Sequence, residues 1–366
     1  MNLIKILHHC EPGHKLNISD SIELVNQDDW NSLVNDTIYL GYDYLKSLET
    51  GLDSIECRYV LIYDAELRPV MAAYFQIVDI EEVDQYYKDY LIRFAGEQLV
   101  NKLLPSMNMR MVLCGNLFVC GENGFKASPS IGAKQGMDLL AEAFRRIAKS
   151  LDNEEKPSIM LVKELYPEND PNMEAFKADN FHPLQIDCNM VLDLKNDWEG
   201  MEDYLNSMTS KFRTKAKGVF KRSEELEVKS LSSSEMEHFT KEIDALHIEV
   251  VEQADFSLGA LNAATFIQLK ERMAEHFEFK AYFLEQEMIG FSASFLCTEF
   301  LDAAHVGIDY RFNKDKALYQ RMLYDFVELA MERNIDQIRF GRTAEQLKSS
   351  LGAVPVNMRL YIKHRN

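Results

Sequence analysis

Phe279-Lys-Ala-Tyr-Phe-Leu284, Glu285-Gln-Glu287 and Met288-Ile-Gly-Phe-Ser-Ala-Ser-Phe295 follow one another without interruption. The outer runs are rich in aromatic and other apolar residues, and the short polar piece between them reads as a turn, so the stretch is a β-hairpin. Downstream, Asp302-Ala-Ala-His-Val-Gly-Ile-Asp309 reads as a third strand. A helix is expected from about Ala317 to Met331, because Tyr319, Met322, Leu323, Phe326, Val327 and Ala330 recur at spacings of three and four and form one apolar stripe. A strand (Gln337–Phe340), a short helix (Ala344–Ser350) and a last strand (Asn357–Ile362) complete the series.

The same series occurs earlier in the chain, and such repeats are sought first because they decide the architecture. Tyr59-Val-Leu-Ile-Tyr63 and Val70-Met-Ala-Ala-Tyr-Phe75 flank Asp64–Pro69 as a hairpin. A helix at Met137–Ala148, a strand at Ser158–Val162, a short helix at Met173–Ala178 and a strand at Asn189–Leu194 follow. The expectation is an α/β (α+β) protein of two tandem mixed-sheet domains with flanking helices, residues 1–195 and 196–366. A length of 366 residues accommodates two such domains. The first copy carries an insertion from Asp79 to Pro129, and helices at about Asp197–Met208 and Ser210–Leu226 precede the second. Two further amphipathic segments, Glu235–Gln253 and Ala263–His276, lead into its hairpin.

Composition narrows the function classes. Hydrophobic residues make up 46% and charged residues 27%, values of a folded globular chain. The longest stretch free of charge, Phe256 to Leu269, is shorter than the ~20 residues of a spanning helix. The first residues show no sustained apolar run before Pro12-Gly13, so a cytoplasmic chain is expected. Six scattered cysteines without a C-x-x-C pair read as buried thiols. No metal motif is present. With 59 acids against 40 bases the net charge is −19, which opposes general binding to nucleic acid. Lys211-Phe-Arg-Thr-Lys-Ala-Lys-Gly-Val-Phe-Lys-Arg222 is the exception, with six bases and no acid in twelve residues. An acidic run, Asp79 to Asp89, lies in the other half.

Hairpin, third strand, amphipathic helix, strand, helix and strand in this order resemble the GNAT acyltransferase fold. The doubling resembles the Fem-type peptidoglycan aminoacyl ligases and their acyltransferase relatives. Ile338-Arg-Phe-Gly-Arg-Thr-Ala-Glu-Gln-Leu-Lys-Ser-Ser-Leu-Gly-Ala353 is similar to that group's strand, Gly-Arg-Ser/Thr turn, Lys-bearing helix and Gly-Ala ending. Val306-Gly-Ile-Asp-Tyr310 followed by Ala317-Leu-Tyr319 adds to it. The resemblance implies an acyl group passed from an activated donor, acetyl-CoA or another acyl-CoA, to an amine of a small molecule or cell-wall precursor. The alternative it implies is a Fem-like transferase with aminoacyl-tRNA as donor, and a fold kept without chemistry is the third reading. The glycine-rich loop that binds pyrophosphate in acetyl-CoA enzymes of this fold is replaced by Tyr310-Arg-Phe-Asn-Lys-Asp-Lys-Ala317.

Candidate residues follow from chemistry and position. His305 and Asp309, four apart on one expected strand, share a face and are candidate bases for deprotonating an acceptor amine, or else a structural hydrogen-bonded pair. Tyr310, Asn313 and Tyr319 surround the expected donor loop, where a hydroxyl could protonate a leaving thiolate; Tyr319 is equally a core residue. Arg342 and Lys348, with Thr343 between, follow a strand end and offer cations for a phosphate or carboxylate. Glu249 and Glu252 share a helix face, as amine ligands or as solvated acids. In the basic run, Lys217 and Lys221 at i,i+4, beside Lys211, Lys215 and Arg222, are candidate anion ligands or a solvated face. Gly115–Gly124 lacks nucleotide-loop spacing and reads as a turn among inserted strands.

Overall fold

In the computed structural model, which describes residues 8–9, 13–52, 55–80, 109–151, 157–166, 180–253 and 260–364, both hairpins form. Strands β1 (His8–His9) and β2 (Lys15–Ser19) and helices α1 (Gln27–Val34) and α2 (Tyr42–Gly51) come first. The hairpin strands β3 (Glu56–Tyr63) and β4 (Pro69–Ile80) pair antiparallel, with Tyr59 opposite Tyr74. Asp64 closes their loop by accepting the Arg68 backbone N–H at 2.9 Å and its guanidinium Nε at 2.7 Å. Then come β5 (Met109–Cys114), β6 (Phe125–Ala127), α3 (Ala133–Ser150) and β7 (Ile159–Leu165). The expected helix at 173–178 and most of the acidic run at 79–89 lie outside the described residues.

The chain divides into two units, Met1–Ile186 with Asn357–Asn366, and Asp187–Val356. It leaves the first within β8 (His182–Asp193) and returns within β14 (Val354–His364). The sheet of the first unit runs β1-β2-β3-β4-β5-β7-β14, with β6 beside β4. Helix α3 lays Leu140, Phe144 and Ile147 on it, and the Phe144 ring meets Phe75 edge-on at 5.0 Å. Tyr361, from the far end of the sequence, is fully buried in this core beside Val162 and Leu165, which is why the last strand belongs here.

The second unit contains α4 (Met201–Ser207), α5 (Ser210–Arg222), β9 (Glu227–Ser230), α6 (Ser233–Met236), α7 (Thr240–Gln253) and α8 (Ala263–Met273). They are followed by β10 (Phe277–Leu284), β11 (Glu287–Leu296), β12 (Leu301–Ile308), α9 (Tyr310–Lys316), α10 (Leu318–Glu332), β13 (Gln337–Arg339) and α11 (Glu345–Ser349). Its sheet runs β8-β13-β12-β11-β10-β9. The β10–β11 turn holds Glu285 and Gln286 at φ 48° and 74°, the two positive values of a tight hairpin turn, here carried by non-glycine residues. Met190 and Leu192 of β8, with Leu194 just after it, join Ile338 and Phe340 in the core of this unit. The final strands of the two repeats are therefore exchanged: β8 pairs with β13 and β14 with β7.

Helices α7 and α8 cover one face of β10–β12 through aromatic contacts. His247 and Phe266 lie 5.5 Å and 5.4 Å from the His305 ring, and Phe266 packs on Phe291 at 5.4 Å. Gly307 leaves room for Phe291, whose ring would lie 2.1 Å from any Cβ there. Burial, and for His305 also the neighbouring His247, pushes both histidines below the ordinary value of 6.5. A histidine with a depressed folded pKa binds fewer protons folded than unfolded, so its stabilising share is present above pH ~6.5 and is lost as pH falls below it. Thermal unfolding should therefore show a lower midpoint at pH 5.5 than at 7.5, and His305→Phe should reduce that difference; an unchanged pH profile in the variant would refute the assignment.

Candidate functional site

The parallel pair β12 and β13 is in register at only two positions, Leu301 with Ile338 and Asp302 with Arg339. Strand β12 continues to Ile308, whereas the chain after Arg339 turns to β8. Phe340 N–H donates to the Met190 carbonyl at 2.9 Å, Met190 N–H donates to the Gly341 carbonyl at 3.1 Å, and Gly341 N–H donates to Oδ1 of the fully buried Asn189 at 2.9 Å. The two strands part there, leaving a notch in the sheet.

The equivalent place in the first unit is filled. Strands β5 and β7 stay in register over four positions, to Cys114 with Val162, the end of β5. The Gly115–Gly124 loop then lies against the end of β7. Lys163 Nζ donates to the Val119 carbonyl at 2.5 Å, and Gly121 N–H donates to the buried Glu164 carboxylate at 2.6 Å. Gly115 is required, since a Cβ would stand 2.9 Å from that of Lys163. Asn116 and Gln76, both fully buried, hold the loop further: Asn116 Nδ2 donates to the Tyr44 hydroxyl at 2.7 Å, and Leu117 N–H to Gln76 Oε1 at 2.8 Å.

In the second unit the strand expected to reach Asp309 ends at Ile308, and Asp309 caps a helix instead. Its carboxylate accepts the Arg311 N–H at 2.9 Å and the Arg311 guanidinium, which holds its pKa below the ordinary value. His305 faces α7 and α8, its Nε2 shut off from solvent without a hydrogen-bond partner. The two are thus assigned to different surroundings, an aromatic cluster and a helix cap. Where a loop was expected the chain forms α9, because Asp309 caps its start and Tyr310 and Phe312 pack on the Leu318–Met322 core. Burial and the nearby Glu249 raise the pKa of Tyr310, and burial raises that of Tyr319, so both hydroxyls keep their protons at neutral pH.

Ala317, at φ 53°, joins α9 to α10. Asn313 Oδ1 accepts the Tyr319 N–H at 3.0 Å, so an amide at the start of α10 is already satisfied from within. A cleft of about 160 Å³ opens at this junction, lined by Arg222, Asn313, Lys314, Tyr319, Gln320 and Leu347 together with Ala317. Helix α5 is held beside it: Arg222 Nη1 donates to the Lys314 carbonyl at 2.9 Å, and the Arg321 guanidinium lies 5.7 Å over the Phe220 ring. Arg321 in turn donates at 2.6 Å to the buried Asp325, which accepts the Tyr282 hydroxyl at 2.8 Å, tying α10 to the sheet.

The Gly341–Ala344 turn is strained, with positive φ at Gly341, Thr343 and Ala344. Lys348, only 2% exposed, does not reach into open space: its ammonium donates to the carbonyls of Gly341, at 3.2 Å, and Arg342. Arg342 is half-buried and Thr343 exposed on that turn. Lys217 and Lys221 are exposed on α5, whose buried side is Ala216 and Val219, and neither lines the cleft. The structure brings Asn313 and Tyr319 together with two residues absent from the candidate set, Lys314 and Gln320. Lys314 lies within the expected donor loop and Gln320 three residues beyond it, their only sequence signal. Glu249 accepts the Tyr310 N–H at 3.4 Å, and the neighbouring Ala254-Asp-Phe256 lies outside the described residues. Cys57, Cys114 and Cys188 are buried as expected, whereas Cys120 and Cys297 are half-buried. Among the described residues no group of three His, Cys, Asp or Glu side chains is placed to hold a metal ion, and no helix is long and apolar enough to cross a membrane.

No protein-family model and no curated protein matches the sequence. Solved structures do match. FemX aligns at 12% identity with a TM-score of 0.55, over 92% of this chain and 96% of that one. A tandem GNAT protein from the clavulanic acid biosynthesis pathway aligns at 8% identity and 0.57, over 96% and 98%. The C-terminal domain of a putative lysylphosphatidylglycerol synthetase from Agrobacterium fabrum aligns at 7% and 0.51, over 93% of each chain. At such identities the likeness is one of architecture: the chain has the GNAT fold in tandem.

Proposed function

We propose that the protein is an N-acyltransferase that moves an acyl group from an activated donor to an amine, with the chemistry in the second unit. The observation that carries this reading is the parting of β12 and β13 after Asp302 and Arg339. Strand edges that separate leave backbone N–H and C=O groups in need of partners, and an extended amide-bearing chain such as a pantetheine arm supplies them. The first unit, in which the equivalent place is filled, is assigned no chemistry in this reading.

In this reading the acceptor amine loses a proton before it attacks the acyl carbonyl, and the leaving group gains one. His305, with its Nε2 closed off beneath α7 and α8, serves the packing of β12 in this reading and not proton transfer. Asp309 anchors α9 and with it Tyr310, whose protonated hydroxyl is a candidate donor to the leaving group. Asn313, Tyr319, Arg342 and Thr343 are the candidate binding residues, and Lys348 holds the turn that carries Arg342. The donor favoured by the fold is acetyl-CoA or another acyl-CoA, and the acceptor a small-molecule or cell-wall-precursor amine. A second reading, with aminoacyl-tRNA as donor, is favoured by the internally capped start of α10 and by the exposed Lys211, Lys215, Lys217 and Lys221.

Thermal unfolding with acetyl-CoA, longer acyl-CoAs and free CoA separates the two. A CoA species bound only to the native state, at 100 times its Kd, should add about 2.7 kcal/mol. No shift with any of them, together with tRNA binding that weakens steeply with salt, would transfer the proposal to the second reading. Arg342→Ala should weaken donor binding, read directly by titration with the donor. Lys348→Met, by contrast, should lower stability by about 1–3 kcal/mol, because it strips two carbonyls of their donor. Unaltered donor binding in Arg342→Ala would remove that residue from the site.

A further inference from the structure

The edge of β12 that faces the notch is met in one place by a side chain from outside the sheet. Asp309 N–H donates to the Ile289 carbonyl at 2.9 Å, and the β11–β12 register pairs Gly290 with Ile308, Phe291 with Gly307, Ser292 with Val306 and Ala293 with His305. In an antiparallel ladder, pairs that exchange hydrogen bonds alternate with pairs whose backbone groups point outward. Asp309, Gly307 and His305 therefore bond to β11, whereas the N–H and C=O of Val306 and Ile308 point away from it, toward the notch that opens after Asp302. Nδ1 of His247, on α7, lies 3.3 Å from the Val306 carbonyl oxygen. A carbonyl only accepts, so Nδ1 carries the proton and Nε2 keeps its lone pair. The ring is buried and set edge-on to Phe266 of α8 at 5.3 Å and to His305 at 5.5 Å, which fixes its orientation. Two residues further along α7, Glu249 accepts the Tyr310 N–H at 3.4 Å. Helix α7 thus grips β12 within its open length and again just past its end.

We infer that His247 is a positioning residue of the notch: its Nδ1–H holds the Val306 carbonyl, keeps β12 from closing on β13, and leaves the remaining outward groups of Val306 and Ile308 to the donor. The inference deepens the acyl-transfer reading and rests on it for its meaning, since this edge is where an extended donor arm would add. A buried carbonyl must find a donor, and one left unmet on this edge would draw β13 toward it. With His247 in place, closing the notch would cost an existing hydrogen bond. His247 acts here through the backbone of β12, neither touching the donor nor moving a proton. Leucine at this position would fill space in the same aromatic cluster but leave the carbonyl unmet. Asparagine, whose Nδ2 stands near the place of Nδ1, would meet it again, and that difference separates positioning from packing.

The test compares full-length wild type, His247→Leu and His247→Asn by calorimetric titration with acetyl-CoA and free CoA, and by hydrogen–deuterium exchange over residues 303–310. His247→Leu should weaken binding at least tenfold and speed exchange of that segment at least tenfold, whereas His247→Asn should stay within threefold of wild type in both. Both variants remove the imidazole from the aromatic cluster, so a residue that only packs predicts equal losses, or a larger loss in the more polar asparagine variant. Either of those outcomes would overturn the inference. Should His247→Leu fail to fold, the imidazole nitrogen resonances of the wild type decide: His247 protonated on Nδ1 sustains the inference and His247 protonated on Nε2 overturns it. A wild type that binds neither acetyl-CoA nor free CoA, with the exchange contrast between the two variants intact, would sustain the role of His247 and defeat the reading with a CoA donor. Acetyl-CoA bound equally well by all three proteins, with no exchange contrast, would do the reverse.

Discussion

The separation of β12 from β13 is the constraint on which the arrangement of the second unit depends. A parallel pair normally satisfies its backbone groups along its whole length, yet here the chain after Arg339 gives its hydrogen bonds to β8. Gly341 makes this possible: at φ 69° it lets the backbone bend toward Met190 and the buried Asn189, a conformation that costs a residue with a Cβ considerably more. Lys348 then closes the turn from below by binding two consecutive carbonyls. A buried ammonium is costly unless its hydrogen bonds are met, so the turn and the lysine support each other. Arg342 and Thr343 are displayed on a rigid bend for that reason.

The first unit shows the same framework with the opposite outcome. Its parallel pair holds to the end of β5, and the space beyond is occupied by a loop whose fixed points are buried polar side chains: Gln76, Asn116, Lys163 and Glu164. The adjacent Lys163 and Glu164 form an ion pair at 2.9 Å although neighbouring strand residues normally face opposite ways; the positive φ of Glu164, 55°, brings them together. Buried charges of this kind add specificity of conformation more readily than stability. One repeat therefore invests its polar residues in filling the notch, and the other in keeping its edges apart.

The charged residues of the second unit divide in a similar way. Arg311 is spent on Asp309, Arg321 on Asp325 and Lys316 on Glu225, each pair fixing a helix end or a helix face. Arg222 and Lys314 have no carboxylate partner among the described residues and line a cleft beside α5, α9, α10 and α11.

Much of the fold was legible in the sequence. Alternating aromatic and apolar runs around short polar pieces specified both hairpins, and the three- and four-residue spacing from Tyr319 to Ala330 specified α10, because these periodicities are local consequences of backbone geometry. The Gly341-Arg-Thr turn followed by a lysine-bearing helix was legible from its resemblance to the corresponding stretch of the Fem-type group, not from periodicity. What the sequence by itself determined was this order of elements and the concentration of positive charge between Lys211 and Arg222. Tertiary structure decided the partners. The last strand of each repeat pairs in the other unit because Tyr361 finds its cavity beside Val162, and Leu192 beside Ile338. Only the packing of α5 against α9 brought Arg222 to Lys314, 92 residues away, and only the enclosure of Lys348 turned an expected ligand into a clamp. Local pattern reports which face of an element is apolar; which other element covers that face is a matter of long-range burial, and that has no signature in spacing.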